Sequence, residues 1–186
     1  MIGLALLLAG PAAAGSARAP VALGTMVELS GSVALGSAPR NGQLLRFVPG
    51  GRFALGVLLH NTSRGRLVLT GAEVVEPPLT LVHQIGTQFH PWNPPKCPPG
   101  ALCPAYVFPL HARAAHPHPF AVAPGKDAGL ELDFRLGSCA DVPGASSTPI
   151  SRLRVSFHRA GGTVQQRVLP LRGAELHLRM PKPGAC

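Results

Sequence analysis

Residues 124–139 contain the feature that most restricts how this chain can fold, a run in which apolar and charged residues alternate strictly. The run opens with Pro124-Gly125, a pair typical of tight turns because Pro fixes φ and Gly tolerates positive φ. The apolar members are Leu130, Leu132, Phe134 and Leu136, and the charged residues between them are Glu131, Asp133 and Arg135. A period of two puts the two sets on opposite faces of a strand. The pattern predicts a central antiparallel strand with one buried face and one solvated face, ending at Cys139.

The composition favours many short strands over helices. Of 186 residues, 22 are Gly and 21 are Pro, the two residue types least compatible with a helix interior. The chain is 46% apolar, enough for a sizeable core, and its length fits one domain. These totals predict an all-β domain with short strands and turn-rich connections.

Further stretches repeat the strand pattern. Residues 52–60 predict a clean strand whose odd-numbered members from Phe53 to Leu59 share one face. Asn61 to Gly65 is a turn by composition, and Arg66 to Val75 is apolar again, with a bulge expected at Gly71. The segment 53–75 therefore predicts a hairpin. A second hairpin is predicted at the C-terminal end, formed by residues 151–159 and 163–171.

Weaker patterns predict the remaining strands. Four stretches indicate short or edge strands, namely 26–33, 43–48, 79–85 and 175–180. Together with the clear strands they predict an antiparallel immunoglobulin-like β-sandwich of about seven to nine strands, with one long Pro-rich loop over residues 86–119.

The first 19 residues have the character of a secretory signal peptide. An apolar run from Ile2 to Ala9 precedes Gly10-Pro11 and small residues with the A-x-A spacing of a cleavage site. The run is too short to span a bilayer, so membrane contact is expected only through an uncleaved leader. We expect a secreted or extracytoplasmic protein with three parts: 1–19 as signal peptide, 20–50 as an N-terminal segment with edge strands, and 51–186 as the sandwich domain.

The four cysteines, Cys97, Cys103, Cys139 and Cys186, are the even number that a disulfide framework needs in an exported chain. Three pairings are formally open. Cys97 with Cys103 is favoured because the two are close and Pro98-Pro99-Gly100 turns the chain back, which leaves Cys139 with Cys186. A zinc site fits less well, because Cys97 and Cys103 lie too far apart for a zinc knuckle and no second pair is near.

Histidines and aromatic residues in the Pro-rich loop supply two candidate sites. His116-Pro117-His118 places two imidazoles on one side of an extended segment, an arrangement that copper or zinc can use, although exposed loop histidines also bind metal adventitiously. The aromatic set could present a ligand-contact platform or fold under the loop as a small core; it comprises Phe89, Trp92, Tyr106 and Phe108.

The sequence gives little support to an enzyme or a nucleic-acid binder. The motifs G-x-S-x-G, H-E-x-x-H and the P-loop are absent, and Glu131 and Asp133 are expected on a solvated face. The formal net charge is +9, but the basic residues are spread singly and do not form a stripe. We expect no enzymatic activity, no cofactor and no specific nucleic-acid partner.

Two passages resemble bacterial extracellular immunoglobulin-like modules. Residues 53–75 (FALGVLLHNTSRGRLVLTGAEVV) are similar to their strand, L-x-N-T, turn and strand sequence, and residues 120–139 are similar to their later aromatic, P-G and alternating-strand segment. The cysteine after that strand, with another at the chain end, resembles exported actinobacterial proteins. The resemblance implies a monomeric binding, adhesive or spacer module whose partner is a protein or an envelope polymer. The alternative is an extracytoplasmic copper or zinc binder that uses His116 and His118.

Overall fold

The protein is all-β in the part of the chain that the computed structural model describes, residues 19–37, 42–75, 81–92, 119–144, 149–172 and 175–179. Besides one 3-10 helix (Cys139–Gly144), the regular elements there are strands. They are β1 (Val21–Ser30), β2 (Ala34–Ser37), β3 (Gln43–Arg46), β4 (Arg52–Asn61), β5 (Leu67–Val74), β6 (Val82–Pro91), β7 (Phe120–Val122), β8 (Asp127–Leu136), β9 (Arg152–Arg159), β10 (Gln165–Pro170) and β11 (Leu176–Arg179). Eleven strands in these ranges exceed the seven to nine predicted, because β2 and β7 are too short to show alternation.

The strands form three sheets. The first sheet has the order β1-β4-β8-β6 and the second the order β10-β9-β5-β7, both antiparallel throughout. A third sheet has the order β11-β3-β2, in which β11 runs parallel to β3. The prediction of an all-β chain with antiparallel sheets is confirmed, and β11 differs from it by its parallel pairing. No helix among the described residues is long and apolar enough to cross a bilayer.

The predicted central strand is β8, which lies inside the first sheet between β4 and β6. Its four predicted core residues are all buried: Leu130, Leu132, Phe134 and Leu136. The turn before it is also as predicted, with Gly125 at φ 65°. Phe134 pairs with Phe53 of β4 and stacks on it at 4.8 Å between ring centroids, so the two best-patterned strands meet in the core.

The predicted hairpin over residues 53–75 is wrong. β4 pairs with β1 and β8 in the first sheet, whereas β5 pairs with β9 and β7 in the second, so residues 62–66 cross from one sheet to the other. The side-chain pattern within each strand identifies its core-facing residues, but it does not say which strand is the neighbour. The bulge predicted at Gly71 is present, as a register shift between Leu69 and Gly71.

Asn61 holds this crossing in place. Its side chain is buried, and its amide donates hydrogen bonds to the carbonyl oxygens of Gly65 (2.9 Å) and Val122 (3.0 Å). Its Oδ1 accepts a hydrogen bond from the backbone N–H of Ser63. The Asn-Thr-Ser triplet is therefore an internal clamp for the turn, because both amide hydrogens are engaged inside the fold.

The C-terminal hairpin is confirmed. β9 and β10 pair antiparallel around a turn in which Gly161 has a φ of 71°, a value that favours glycine. The inward residues of β9 are the predicted ones, Leu153, Val155 and Phe157, and all are buried.

Gln84 of β6 connects the first sheet to the second. Its side-chain oxygen accepts a hydrogen bond from the backbone N–H of Val74 (3.0 Å), and its amide donates to the carbonyl oxygen of Ala72 (2.8 Å). Among the described strands, β7 pairs only with residues 67–69 of β5 on that side, so Gln84 satisfies backbone groups beyond the reach of β7. A buried cluster contributed by both sheets fills the space between them.

Candidate functional site

The face of the first sheet that points away from this cluster, here called the outer face, brings histidine, arginine and carboxylate side chains close together. Its residues alternate with the core residues of β4, β8 and β6 and lie side by side through the strand register. Four of the eight acidic residues in the chain occur on it, although the net charge is +9: Glu28, Asp127, Glu131 and Asp133.

Glu131 and His90 form a buried pair on the outer face. The Nε2 atom of His90 lies 2.9 Å from Oε2 of Glu131, and the two side chains are 2% and 0% exposed. The prediction that Glu131 lies on a solvated face is therefore wrong. The period of two assigned it correctly to the side opposite Leu130 and Leu132, but that side is also shielded from solvent at this position.

One sequence signal for this burial was present. β4 is apolar on both faces, since Ala54, Gly56 and Leu58 alternate with the core residues, and all three are buried. A strand that is apolar on both sides is typical of a sheet covered on both sides. Glu131 is directly opposite Gly56 in the β4–β8 register, so it shares that shielding.

A second histidine–carboxylate pair lies nearer the end of the same face. Nδ1 of His60 is 2.6 Å from Oδ1 of Asp127, across directly paired positions of β4 and β8. Both side chains are more than one third exposed. Solvent screening makes such a pair a weak contributor to stability, and its groups remain accessible.

A cleft of about 460 Å³ opens on the outer face beside Asp133, here called the Asp133 cleft. Its lining residues include Asp133, Arg52 and Ser30, together with Ile85, which is 51% exposed. The Ser30 hydroxyl is buried and has no hydrogen-bond partner. A cleft with a few converging polar groups and an apolar wall has the character of a ligand site.

Glycine at position 86 leaves room for the carboxylate of this cleft. A Cβ atom at Gly86 would come within 2.7 Å of Oδ2 of Asp133, to which it is directly opposite in the register. The Gln88 amide donates a long hydrogen bond of 3.4 Å to the same oxygen. Asp133 is thus held loosely, and its carboxylate faces the cleft.

A second cleft of about 390 Å³, here called the His83 cleft, lies at the same end of the sheet. Its lining includes His83, Arg135 and Asp141. The backbone N–H of Ser138 and then its hydroxyl donate hydrogen bonds to Asp141, at 2.7 and 2.8 Å, and they lower the pKa of that carboxyl. Burial opposes this shift slightly, and His83 adds to it.

The loop residues predicted as contact sites are only partly described. Phe89 lies in β6, fully buried, with its ring 6.0 Å from that of Phe120, so for this residue the ligand-contact alternative fails and the buried alternative holds. The sequence predicts a loop from residue 86 because prolines are frequent after residue 92, whereas β6 extends to Pro91. Trp92 is half-buried. Tyr106, Phe108, His116 and His118 lie outside the described residues.

Cys139 is disulfide-bonded and packs against the core at the start of the 3-10 helix. Cys97, Cys103 and Cys186 lie outside the described residues, so the pairing remains a prediction. In the described ranges no group of three or more His, Cys, Asp or Glu side chains is arranged to hold a metal ion. The two histidine–carboxylate pairs therefore do not form a metal centre together.

No protein-family model and no curated protein matches this chain. Among solved structures, one similar chain is the secreted serine protease VesC from Vibrio cholerae, with 8% sequence identity, a TM-score of 0.28 and 73% of this chain covered. This chain spans about a fifth, 21%, of that one. Similarity at this level carries no argument about fold or activity.

The matched protein is named a serine protease, so the comparison gives no support to the expectation that this chain is not an enzyme. The exclusion is therefore withdrawn. It rested on the absence of short motifs, and catalytic groups that the fold brings together from distant strands leave no such motif. The match assigns no reaction to this chain.

Proposed function

We propose that the chain is an exported immunoglobulin-like β-sandwich that binds an envelope polymer in the Asp133 cleft. The observation that carries the proposal is the cleft itself, in which Asp133 and the exposed Ile85 line one space. The Asp133 carboxylate can accept hydrogen bonds from hydroxyl and amide groups of a polymer, while Ile85 offers apolar contact.

The strand order supports the immunoglobulin-like assignment. In that fold the strands A, B, E and D form one sheet, and C, F and G form the other. If β1, β4, β5, β6, β8, β9 and β10 are taken as A to G, the first sheet has the order A-B-E-D and the second contains G-F-C. β2 and β3 are then an insertion between A and B, and β7 is an added strand beside C.

The disulfide at Cys139 supports export. Disulfides persist in oxidising compartments and are rare in the cytosol. This agrees with the signal-peptide character of residues 1–19. The formal charge of +9 favours an anionic polymer over a neutral one, because it raises the local concentration of anions at the surface.

The proposal is tested by sedimenting the mature protein with purified bacterial cell-wall sacculi. The cleft variants are Ile85→Ala and Asp133→Ala, and the matched control is Val168→Ala, an exposed apolar residue of β10 on the second sheet. Loss of about 1 kcal/mol of apolar contact at Ile85 weakens binding roughly fivefold.

We expect both cleft variants to bind more weakly and the control to bind as the unmodified chain does. Equal binding by all the variants, or no binding by the unmodified protein, would exclude the Asp133 cleft as a site for these polymers. Thermal unfolding of each variant checks that the sheet is intact.

A further inference from the structure

A row of three basic side chains crosses the first sheet between the two clefts. Arg52 of β4 is directly opposite Arg135 of β8, and Arg135 is directly opposite His83 of β6. All three residues are exposed. Arg52 lines the Asp133 cleft, whereas Arg135 and His83 line the other.

The two guanidinium groups are not neutralised within the described part of the chain. Neither Arg52 nor Arg135 forms an ion pair there with a carboxylate. Like charges at directly opposite positions of a sheet destabilise it. An anion that bridges the two side chains would remove this repulsion.

The nearby acidic groups leave room for such an anion. Asp133 accepts a hydrogen bond from the Gln88 amide in the Asp133 cleft. Asp141 accepts hydrogen bonds from Ser138 in the His83 cleft. Both carboxylates therefore have donors of their own, and the row between them presents N–H groups to solvent.

We propose that Arg52, Arg135 and His83 bind a phosphate group of the polymer that occupies the Asp133 cleft. This inference rests on the proposed function and names the chemistry of its ligand. A guanidinium offers a planar fork of donors that matches phosphate oxygens, and two forks on neighbouring strands can share one phosphate. A phosphate within a polymer chain keeps one negative charge and offers its free oxygens to both guanidinium groups.

Calorimetric titration of the mature protein with a short linear polyphosphate, at fixed ionic strength, tests the inference. The variants are Arg52→Gln and Arg135→Gln. The matched control is Arg167→Gln, which removes the same charge from exposed β10 on the second sheet. Loss of one charged hydrogen-bonding group weakens binding about tenfold.

Arg52→Lys and Arg135→Lys separate geometry from charge, because lysine keeps the charge but not the planar fork. We expect these variants to bind polyphosphate more weakly than the unmodified protein. Poly-glutamate of similar length and charge is the second probe, and it is expected to bind more weakly than polyphosphate.

Two results would overturn the inference, because each would show attraction through net charge alone. The first is a loss of polyphosphate affinity in Arg167→Gln equal to that in Arg52→Gln and Arg135→Gln. The second is that the unmodified protein binds poly-glutamate as tightly as polyphosphate. Absence of polyphosphate binding would also overturn it. Sacculus binding that depends on Ile85 but persists in Arg52→Gln and Arg135→Gln would retain the proposed function and reject the phosphate. Because all three arginines are exposed, unchanged thermal unfolding is expected to confirm that each variant folds.

Discussion

Nε2 of His90 lies 2.9 Å from Oε2 of Glu131, and both side chains are buried on the outer face of the first sheet. A buried polar group that loses a hydrogen bond is costly, because it keeps its desolvation penalty. Substitution of this pair should therefore lower the free energy of unfolding more than substitution elsewhere on the outer face.

We expect Glu131→Ala to lower the free energy of unfolding by about 1–3 kcal/mol, because it removes a buried hydrogen-bond partner of His90. Glu131→Gln keeps an oxygen that can accept a hydrogen bond from His90, so its effect should be smaller. Urea denaturation measures both. Asp133→Ala, on the same strand and face but partly exposed, is the control, and an equal effect at both positions would contradict the burial of Glu131.

Asn61→Asp should destabilise the chain by about 2–4 kcal/mol, because a carboxylate oxygen would replace a donor that faces two carbonyl oxygens. The shift of the urea midpoint measures this. Ser63→Ala removes only a hydroxyl beside the same turn and is expected to cost much less. Equal losses would mean that the bonds from Asn61 to Gly65 and Val122 contribute little.

Gln84→Ala should cost about 1–3 kcal/mol, because it leaves the N–H of Val74 and the carbonyl of Ala72 without this partner. Gln88→Ala is the matched control, since Gln88 lies on the same strand but faces outward and makes one long hydrogen bond. Guanidinium denaturation compares the two. A larger loss at Gln88 would contradict the role of Gln84 between the sheets.

The contribution of Asp141 to folding stability should depend on pH. Its folded-state pKa is lowered from the ordinary value of 3.8, so the contribution is present above that value and is lost as pH falls through the folded pKa. We expect the stability difference between the unmodified chain and Asp141→Asn to shrink below about pH 4. Denaturation at a series of pH values measures the difference.

Ser138→Ala separates the two causes of this shift. The backbone N–H of Ser138 remains available to Asp141, whereas the hydroxyl donor is lost. The variant should therefore keep most of the acid dependence, because the backbone bond is the larger cause. If the stability of Ser138→Ala instead changed with pH in the same way as that of Asp141→Asn, the effect would belong to the hydroxyl alone.

Local patterns predicted the strands well and their partners poorly. The alternation of residues 130–136 identified β8 and its buried side, and the glycine-containing turn identified the β9–β10 hairpin. Alternation is the same whether consecutive strands pair in one sheet or face each other across a core. For this reason β4 and β5 were joined in a hairpin although they belong to different sheets.

The candidate site depends on register, which is why sequence reasoning missed it. Arg52 and Arg135 are far apart in the chain and become neighbours only when β4 aligns with β8. The same holds for His90 and Glu131 across β6 and β8. The sequence instead predicts sites among loop histidines and aromatic residues, because these residues are close to one another along the chain. Proximity that arises from folding is not visible in a sequence.

The separation of β4 from β5 also affects how the chain must fold. β4 finds its partner β8 only after a long intervening segment has closed, since His60 and Asp127 are 67 residues apart. Pairings between distant segments slow folding, because the entropy of closing the loop is lost before the contacts form. During synthesis β4 would leave the ribosome with one edge unpaired until β8 follows, so an apolar strand stays open to other chains during that interval.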